Sequence, residues 1–352
     1  MRVTIQTIYL VALFTWGGCL LNYPVIDYKV EKLPSPRSTV GEVPHWNPKT
    51  RSLYYINIHD YNSSLHRYDY IENRVYTATI DGARTLLFLL PIKCTTDQFL
   101  IGIDRTAVIA QWDGRSPTVT INQALFELDC GTSNVINDIK TDQLGRFYGG
   151  TKCVESCDTN QRATGAFYGY EKGKCLRKFF ENVFISNGLT WVRHTKKFYY
   201  VDSCTYDIKE FDYNPWTGDI SNEHQLISLV QNGVKPNYVL DGMTNDRNGN
   251  LYVATFGGSK IIKINPRTRQ ILMEIVLPAT QITSVAFGGP NLDILYVTTA
   301  NKDGKQPEGS GYLYKVTGLQ ARGYAGVDLN LYDSCLWRTM RNNEHCNPFC
   351  SK

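Results

Sequence analysis

The chain has 352 residues, 42% hydrophobic and 20% charged, which is too apolar for a disordered chain and too long for a peptide hormone or toxin. Its formal net charge of +4 is spread thinly, with no basic stripe, so a nucleic-acid surface is not expected. With 23 Tyr and 28 Gly the composition leans to strands and tight turns; H-E-x-x-H, G-x-S-x-G and His pairs at ligand spacing are missing, which argues against a His-based zinc hydrolase.

From the start of the chain, no charge falls between Arg2 and Asp27, residues 8–14 are almost wholly apolar, and Trp16-Gly17-Gly18-Cys19 supplies small residues behind them. Residues 1–21 read as a secretory signal peptide and 22–37 as a lead-in. Gln6, Thr15 and Asn22 break the run, which is shorter than the ~20 apolar residues of a membrane span and weighs against an uncleaved anchor. The expected location is secreted, with no membrane partner once the leader is gone. Ten Cys suit that oxidising destination; nine remain after Cys19, so at least one is free or pairs with another chain. Cys153/Cys157 and Cys346/Cys350 form C-x-x-x-C pairs, for which disulfides are favoured over a four-thiolate zinc site, although spacing does not give the connectivity. Asn62-Ser63-Ser64 is a sequon, which makes Asn62 a glycosylation site on an exposed loop.

Six apolar or aromatic runs then recur, at 53–58, 99–103, 146–151, 198–203, 251–255 and 295–299. They lie roughly 44 to 53 residues apart, the period of a four-stranded propeller blade. Turns precede several of them, as at Asn47-Pro48-Lys49-Thr50, Asp142-Gln143-Leu144-Gly145 and Asp246-Arg247-Asn248-Gly249. The expected fold is all-β, a six-bladed β-propeller over 38–325 with a central metal site, followed by a Cys-containing extension at 326–352. A β-sandwich array is the rival, but no Pro/Ser-rich linker interrupts 40–325.

Polar motifs sit just before these runs: Gly41-Glu42-Val43-Pro44-His45-Trp46, Asn137-Asp138, Ser186-Asn187-Gly188-Leu189 and Leu240-Asp241-Gly242-Met243. Repeated blades bring equivalent positions together around an axis, so Glu42, Asn137, Asn187 and Asp241 are expected to converge. Two carboxylates and amide oxygens make a hard oxygen cage for calcium or another hard divalent ion. Each Asn-Gly or Asp-Gly alone also reads as a plain turn; the four motifs at one blade phase point to a site. His45, beside Trp46, reads as a packed residue before it reads as a catalytic one.

These motifs carry a resemblance. With Asn137-Asp138-Ile139-Lys140-Thr141-Asp142, Ser186-Asn187-Gly188-Leu189-Thr190-Trp191, Gly249-Asn250-Leu251-Tyr252-Val253-Ala254 and Thr283-Ser284-Val285-Ala286-Phe287-Gly288-Gly289, the chain resembles the SMP-30/gluconolactonase/luciferin-regenerating-enzyme (regucalcin-like) family over about residues 38 to 325. The resemblance implies one divalent metal ion held by Glu42, Asn187 and Asp241, with Asn137 contacting substrate or completing the ion's shell. Calcium is the expected ion, with zinc or manganese as substitutes. It also implies hydrolysis of sugar lactones or related lactones, one insect branch being linked to luciferin recycling. Where many sugar-lactone members carry Arg two positions before the substrate Asn, this chain has Val135, which removes a forked donor and opens the site to a more apolar lactone. In the expected reaction the ion polarises a small-molecule lactone's carbonyl, while Asp241 guides the proton of the attacking water. The alternative is a secreted calcium-binding propeller that acts as a non-catalytic binding module.

Overall fold

A computed structural model describes residues 27–59, 63–80, 85–158 and 160–331. The leader expected at 1–21, the sequon Asn62, the extension from 332 onward, and Cys19, Cys335, Cys346 and Cys350 lie outside the described residues. Among the described residues there are 24 strands, no α-helix and three short 3-10 turns, so the expected all-β class holds.

After β1 (Lys29–Lys32), the strands fall into six antiparallel groups. The first is β2 (Val40–Asn47), β3 (Ser52–Ile58), β4 (Ser64–Asp69) and β5 (Arg74–Thr79), and the second β6 (Leu86–Pro91), β7 (Gln98–Ile103), β8 (Thr106–Gln111) and β9 (Thr120–Glu127). The third is β10 (Val135–Thr141), β11 (Phe147–Lys152), β12 (Gly165–Tyr170) and β13 (Arg177–Val183), and the fourth β14 (Ser186–Val192), β15 (Lys197–Asp202), β16 (Asp207–Tyr213) and β17 (Ile220–Ser228). The fifth is β18 (Val239–Asn245), β19 (Leu251–Phe256), β20 (Lys260–Asn265) and β21 (Gln270–Val276). The sixth has β22 (Gln281–Gly288), β23 (Ile294–Ala300) and β24 (Tyr314–Thr317), and β1 supplies its outer strand, Lys29 pairing with Thr317. Single pairs, Val40 with Ala300 and Phe256 with Gln281, join the fifth, sixth and first groups into one 12-stranded sheet.

The six runs expected from the sequence are the second strands β3, β7, β11, β15, β19 and β23. They are almost wholly buried, because each is covered on both faces by neighbouring sheets. The fourth strands β9, β13, β17 and β21 are largely exposed; β17 is mainly polar, whereas β21 leaves Ile271, Leu272 and Val276 exposed. Six apolar clusters lie between successive sheets. Tyr54, Leu65, Leu89 and Trp112 join the first group to the second, and Phe88, Phe126, Ile136 and Phe147 the second to the third. Phe167, Leu189, Trp191 and Phe198 join the third to the fourth, and Val201, Ile208, Leu240 and Ile262 the fourth to the fifth. Tyr252, Ile275, Ile282 and Val297 join the fifth to the sixth, and Trp46, Leu53, Tyr296 and Leu313 the sixth back to the first. Each such side chain, fully buried, contributes about 1.5–3 kcal/mol. The beginning of the expected extension also packs inward: Leu329 and Leu331 are buried in the cluster between the second and third groups, and the Leu329 N–H donates to the Pro91 carbonyl at 2.8 Å.

One buried histidine ties stability to pH. His66 on β4 lies between the Ser64 and Thr77 hydroxyls, 3.0 Å from each, and stacks on Tyr55. The two hydroxyls satisfy a neutral ring, and burial pushes the imidazole down to about 3. Unfolding returns it to an ordinary value near 6.5, so the unfolded chain binds the proton more tightly. The contribution is complete above pH 6.5 and is lost as pH falls toward 3, at up to about 1.4 kcal/mol per pH unit. Denaturant titrations from pH 7 to 5 are expected to show the wild type losing stability relative to His66→Gln as pH falls, the difference between the two isolating this histidine from the other titrating groups.

Candidate functional site

All six first strands carry a β-bulge, in β2 one position later relative to the site residue than in β10, β14 and β18. The bulges fall between Glu42 and His45, Leu86 and Phe88, Ile136 and Ile139, Ser186 and Leu189, Leu240 and Met243, and Ile282 and Ser284. A bulge sets an extra residue against the partner strand and re-aims the side chains around it. Glu42 opens the bulge of β2, while Asn137, Asn187 and Asp241 lie inside those of β10, β14 and β18. In the bulges of β6 and β22 stand Leu87 and Thr283, and the Thr283 hydroxyl donates to the Gly41 carbonyl at 2.5 Å. Asn137, Asn187 and Asp241 therefore occupy equivalent places, and Glu42 stands at the edge of its bulge, in first strands that pack in sequence, β10 on β14, β14 on β18, β18 on β22 and β22 on β2.

Local chemistry explains the Gly and Val neighbours. Gly188 and Gly242 do not have positive φ, so Asn187-Gly188 and Asp241-Gly242 are not turns here. A Cβ on Gly188 would run into the carbonyl of Asp241, and one on Gly242 into Ser284, so both glycines permit close backbone approach between first strands. Val43, by contrast, is held at φ 51°, a left-handed conformation that is costly for a β-branched residue. Its N–H donates to Glu42 Oε2 at 3.0 Å, so the strain lies at the residue that fixes one oxygen of the Glu42 carboxylate.

The electrostatics are those of negative charge with little relief. Burial first, then the charges of Asp241 and Asp138, push the Glu42 carboxyl well above its usual range; Glu42 as a residue is half-buried, with its carboxyl packed round by protein. Asp241, buried, is pushed up by burial and by Asp138, while the Asn187 side chain and the Gly242 N–H partly relieve it. Burial raises Asp138 to about 6 against the pull of Lys140. Lys140 is itself pushed down to about 8 by burial, and its Nζ donates to the Met243 carbonyl at 2.5 Å, linking β10 to β18. Lys152, at the end of β11, is a further positive charge felt by both Glu42 and Asp241.

The amides complete the donor set. Asn187 Nδ2 donates to Ser203 Oγ at 3.0 Å, and that hydroxyl donates to the Leu240 carbonyl at 2.7 Å. This turns Asn187 Oδ1 away from Ser203, and the oxygen is buried with no hydrogen-bond partner. An orphaned buried carbonyl oxygen beside two carboxylates that raise each other's proton affinity fits a hard cation. Among the described residues no three His, Cys, Asp or Glu gather as a metal-binding group. Asn137 is half-buried, its Nδ2 donating to the Ser186 carbonyl at 2.8 Å, beside Asn187 in the chain.

His45 stands apart from this set, its imidazole lying 3.5 Å from Asp328 and against Gly326. The sequence reading passed over Asp138, Lys140, Lys152 and Ser203. Asp138 and Lys140 were visible inside the Asn137 motif, whereas only the three-dimensional fold brings Ser203 to Asn187. The C-x-x-x-C spacing at 153/157 does not mark a bond. Cys157 is bonded to Cys204, in the turn next to Ser203; Cys94 and Cys130 are also disulfide-bonded, and Cys153 and Cys175 are free.

The chain's similarities to known proteins are extensive. The SMP-30/Gluconolactonase/LRE-like region matches residues 40–301. Regucalcin of Homo sapiens is 32% identical over 304 residues, covering 84% of this chain and 97% of its own, and regucalcin of Danio rerio is 31% identical over 301 residues, covering 84% and 96%. A solved luciferin-regenerating enzyme superposes with a TM-score of 0.80 at 34% identity, over 87% of this chain and 100% of that one. A regucalcin of Agrobacterium tumefaciens, 20% identical with a TM-score of 0.73 over 87% of this chain and 97% of its own, shares the fold.

Ser203 offers a test of the donor set that leaves every candidate ligand in place. Ser203→Ala releases the Asn187 amide and is expected to weaken calcium binding about tenfold, measured by titration calorimetry. Unchanged affinity would show that Ser203 does not orient Asn187 for a cation.

Proposed function

We propose that this chain, which belongs to the SMP-30/Gluconolactonase/LRE-like family, is a lactone hydrolase dependent on one divalent cation. In this reading the six strand groups are the blades of one closed propeller. The apolar clusters that pass from group to group and return from the sixth to the first support it, as do the bulges of the first strands. Glu42, Asp241 and Asn187 hold the cation, calcium being the best match to an all-oxygen set with two carboxylates. The observation that carries the reading is the partnerless buried Asn187 Oδ1 beside those two carboxylates. The gluconolactonase in the family's description, and the 34% identical luciferin-regenerating enzyme, support the reaction class.

When bound, the cation supplies positive charge to the carbonyl oxygen of the lactone. The protein's own part is to aim and to manage protons. Asn137, fixed through Nδ2 on the Ser186 carbonyl, contacts the substrate. Asp241 takes the proton of the water that adds to the carbonyl carbon and passes it to the ring oxygen as the ring C–O bond breaks, which leaves a hydroxy acid and restores the carboxylate. Asp138 and Lys140 lie behind Asp241 and set the field in which that proton moves. Action outside the cell is part of the proposal, supported by the Cys157–Cys204 bond and the bonded Cys94 and Cys130.

The test is a lactone panel with calcium, zinc or manganese, set against a chelated sample. Asp241→Ala is expected to lose turnover and most of its calcium affinity together, and Asn137→Ala to raise KM about tenfold while keeping calcium. If Asp241→Ala keeps both metal and activity, the assignment fails. The second reading, a calcium-holding binding module without turnover, draws on Val135, which puts no forked donor beside Asn137. Calcium bound by a wild type that opens no lactone would select it.

A further inference from the structure

Val135 removes a cation from one strand, and the neighbouring strand provides another. In the register of β10 on β11, Val135 pairs directly with Lys152. Cross-strand partners lie side by side on one face of a sheet. The Lys152 side chain is only 22% exposed, and its charge is felt by both Glu42 and Asp241. It is thus a half-buried cation of the same site, unlike the solvated lysines of the outer strands.

Its present partner is weakly held. Lys152 Nζ lies 2.8 Å from Glu155 Oε1, and the other Glu155 oxygen is 3.5 Å from Lys302 Nζ, on the turn that follows β23. Two lysines, one from the third strand group and one from the sixth, therefore share one carboxylate. Glu155 belongs to the loop after β11, and its side chain is 71% exposed. Exposed ion pairs of this kind contribute little, so another anion can displace the loop carboxylate readily. Lys302 is 43% exposed and free to follow it.

We infer that Lys152, assisted by Lys302, forms an anion subsite in which a carboxylate on the substrate replaces Glu155, so that the preferred substrate is an acidic lactone. The inference rests on the lactonase reading and narrows it: the charge lost at Val135 is restored from the adjacent strand as a point charge on a flexible stem. Such an ammonium favours an anionic group over a ring of hydroxyls that a planar fork would bind.

The probe pair is a γ-lactone bearing a ring carboxylate and its methyl ester, which differ in charge and by one methyl group, with the primary carboxamide as a neutral control of the acid's size. With calcium present, the wild type is expected to show at least tenfold higher kcat/KM for the acid than for the ester. Lys152→Met, which keeps the aliphatic stem, is expected to reduce that ratio at least tenfold, and Glu155→Gln to lower KM for the acid by removing the internal competitor. The preference is also expected to shrink as salt rises from 50 to 500 mM, a readout that a purely structural lysine would not move. Equal rates for acid and ester, or a Lys152→Met enzyme with an unaltered ratio, would overturn the subsite and leave the lactonase intact. If neither compound is opened, calorimetry of both against wild type and Lys152→Met still decides: tighter binding of the acid that is lost in the variant supports the subsite on a non-catalytic protein, and equal binding rejects it.

Discussion

Three carboxylates, Glu42, Asp138 and Asp241, lie within one another's fields where water is largely shut out. Such a group is expensive unless it is protonated or neutralised. Lys140 and Lys152 offset part of it, but Lys140 is itself burdened by burial and turned to a backbone carbonyl. The strain at Val43, the two close-packed glycines and the serine that turns Asn187 all lie around this charge. Under the proposed reading they hold donors for a cation, and that requirement is electrostatic first and catalytic second.

The fold meets that requirement by repetition. An antiparallel four-stranded sheet with two apolar faces needs a partner on each side, and a succession of such sheets returns its last apolar face to the first. The first strands of successive groups pack on one another. A bulge in each re-aims side chains that would ordinarily alternate between faces. Sheets very different in sequence can still place Asn137, Asn187 and Asp241 at one bulge position, with Glu42 at the edge of another.

Much of this was legible in the chain. The second strands showed as continuous apolar runs because they are covered on both faces, and continuity survives a single-sequence reading better than alternation does. The site motifs showed because Asn, Asp and Glu are poor strand residues and need a reason to recur at one phase. Less visible were features that depend on register or on contacts distant in sequence. Nothing in the spacing of Cys157 pointed to Cys204 instead of Cys153, and the pairing of Val135 with Lys152 requires knowing where the β10 bulge falls. The Asn-Gly and Asp-Gly pairs were ambiguous for a physical reason, since glycine serves both a turn and a close backbone approach, and only the observed φ separates the two.

The strand that completes the sixth group comes from the beginning of the chain, Lys29–Lys32 pairing with Tyr314–Thr317. Its effect is on order in time. The first five groups can form from hairpins as their residues leave the ribosome, whereas β1 is made first and stays without its partner until almost everything described here has been synthesised. Loop-closure entropy makes that pairing a late event, and until it happens the apolar cluster between the fifth and sixth groups lacks Tyr28 and Val30, and the one between the sixth and first lacks Leu33. Nascent chains would spend their longest wait with the open edges of the first and last sheets exposed, so a chaperone that shields strand edges would act on this protein mainly in that interval.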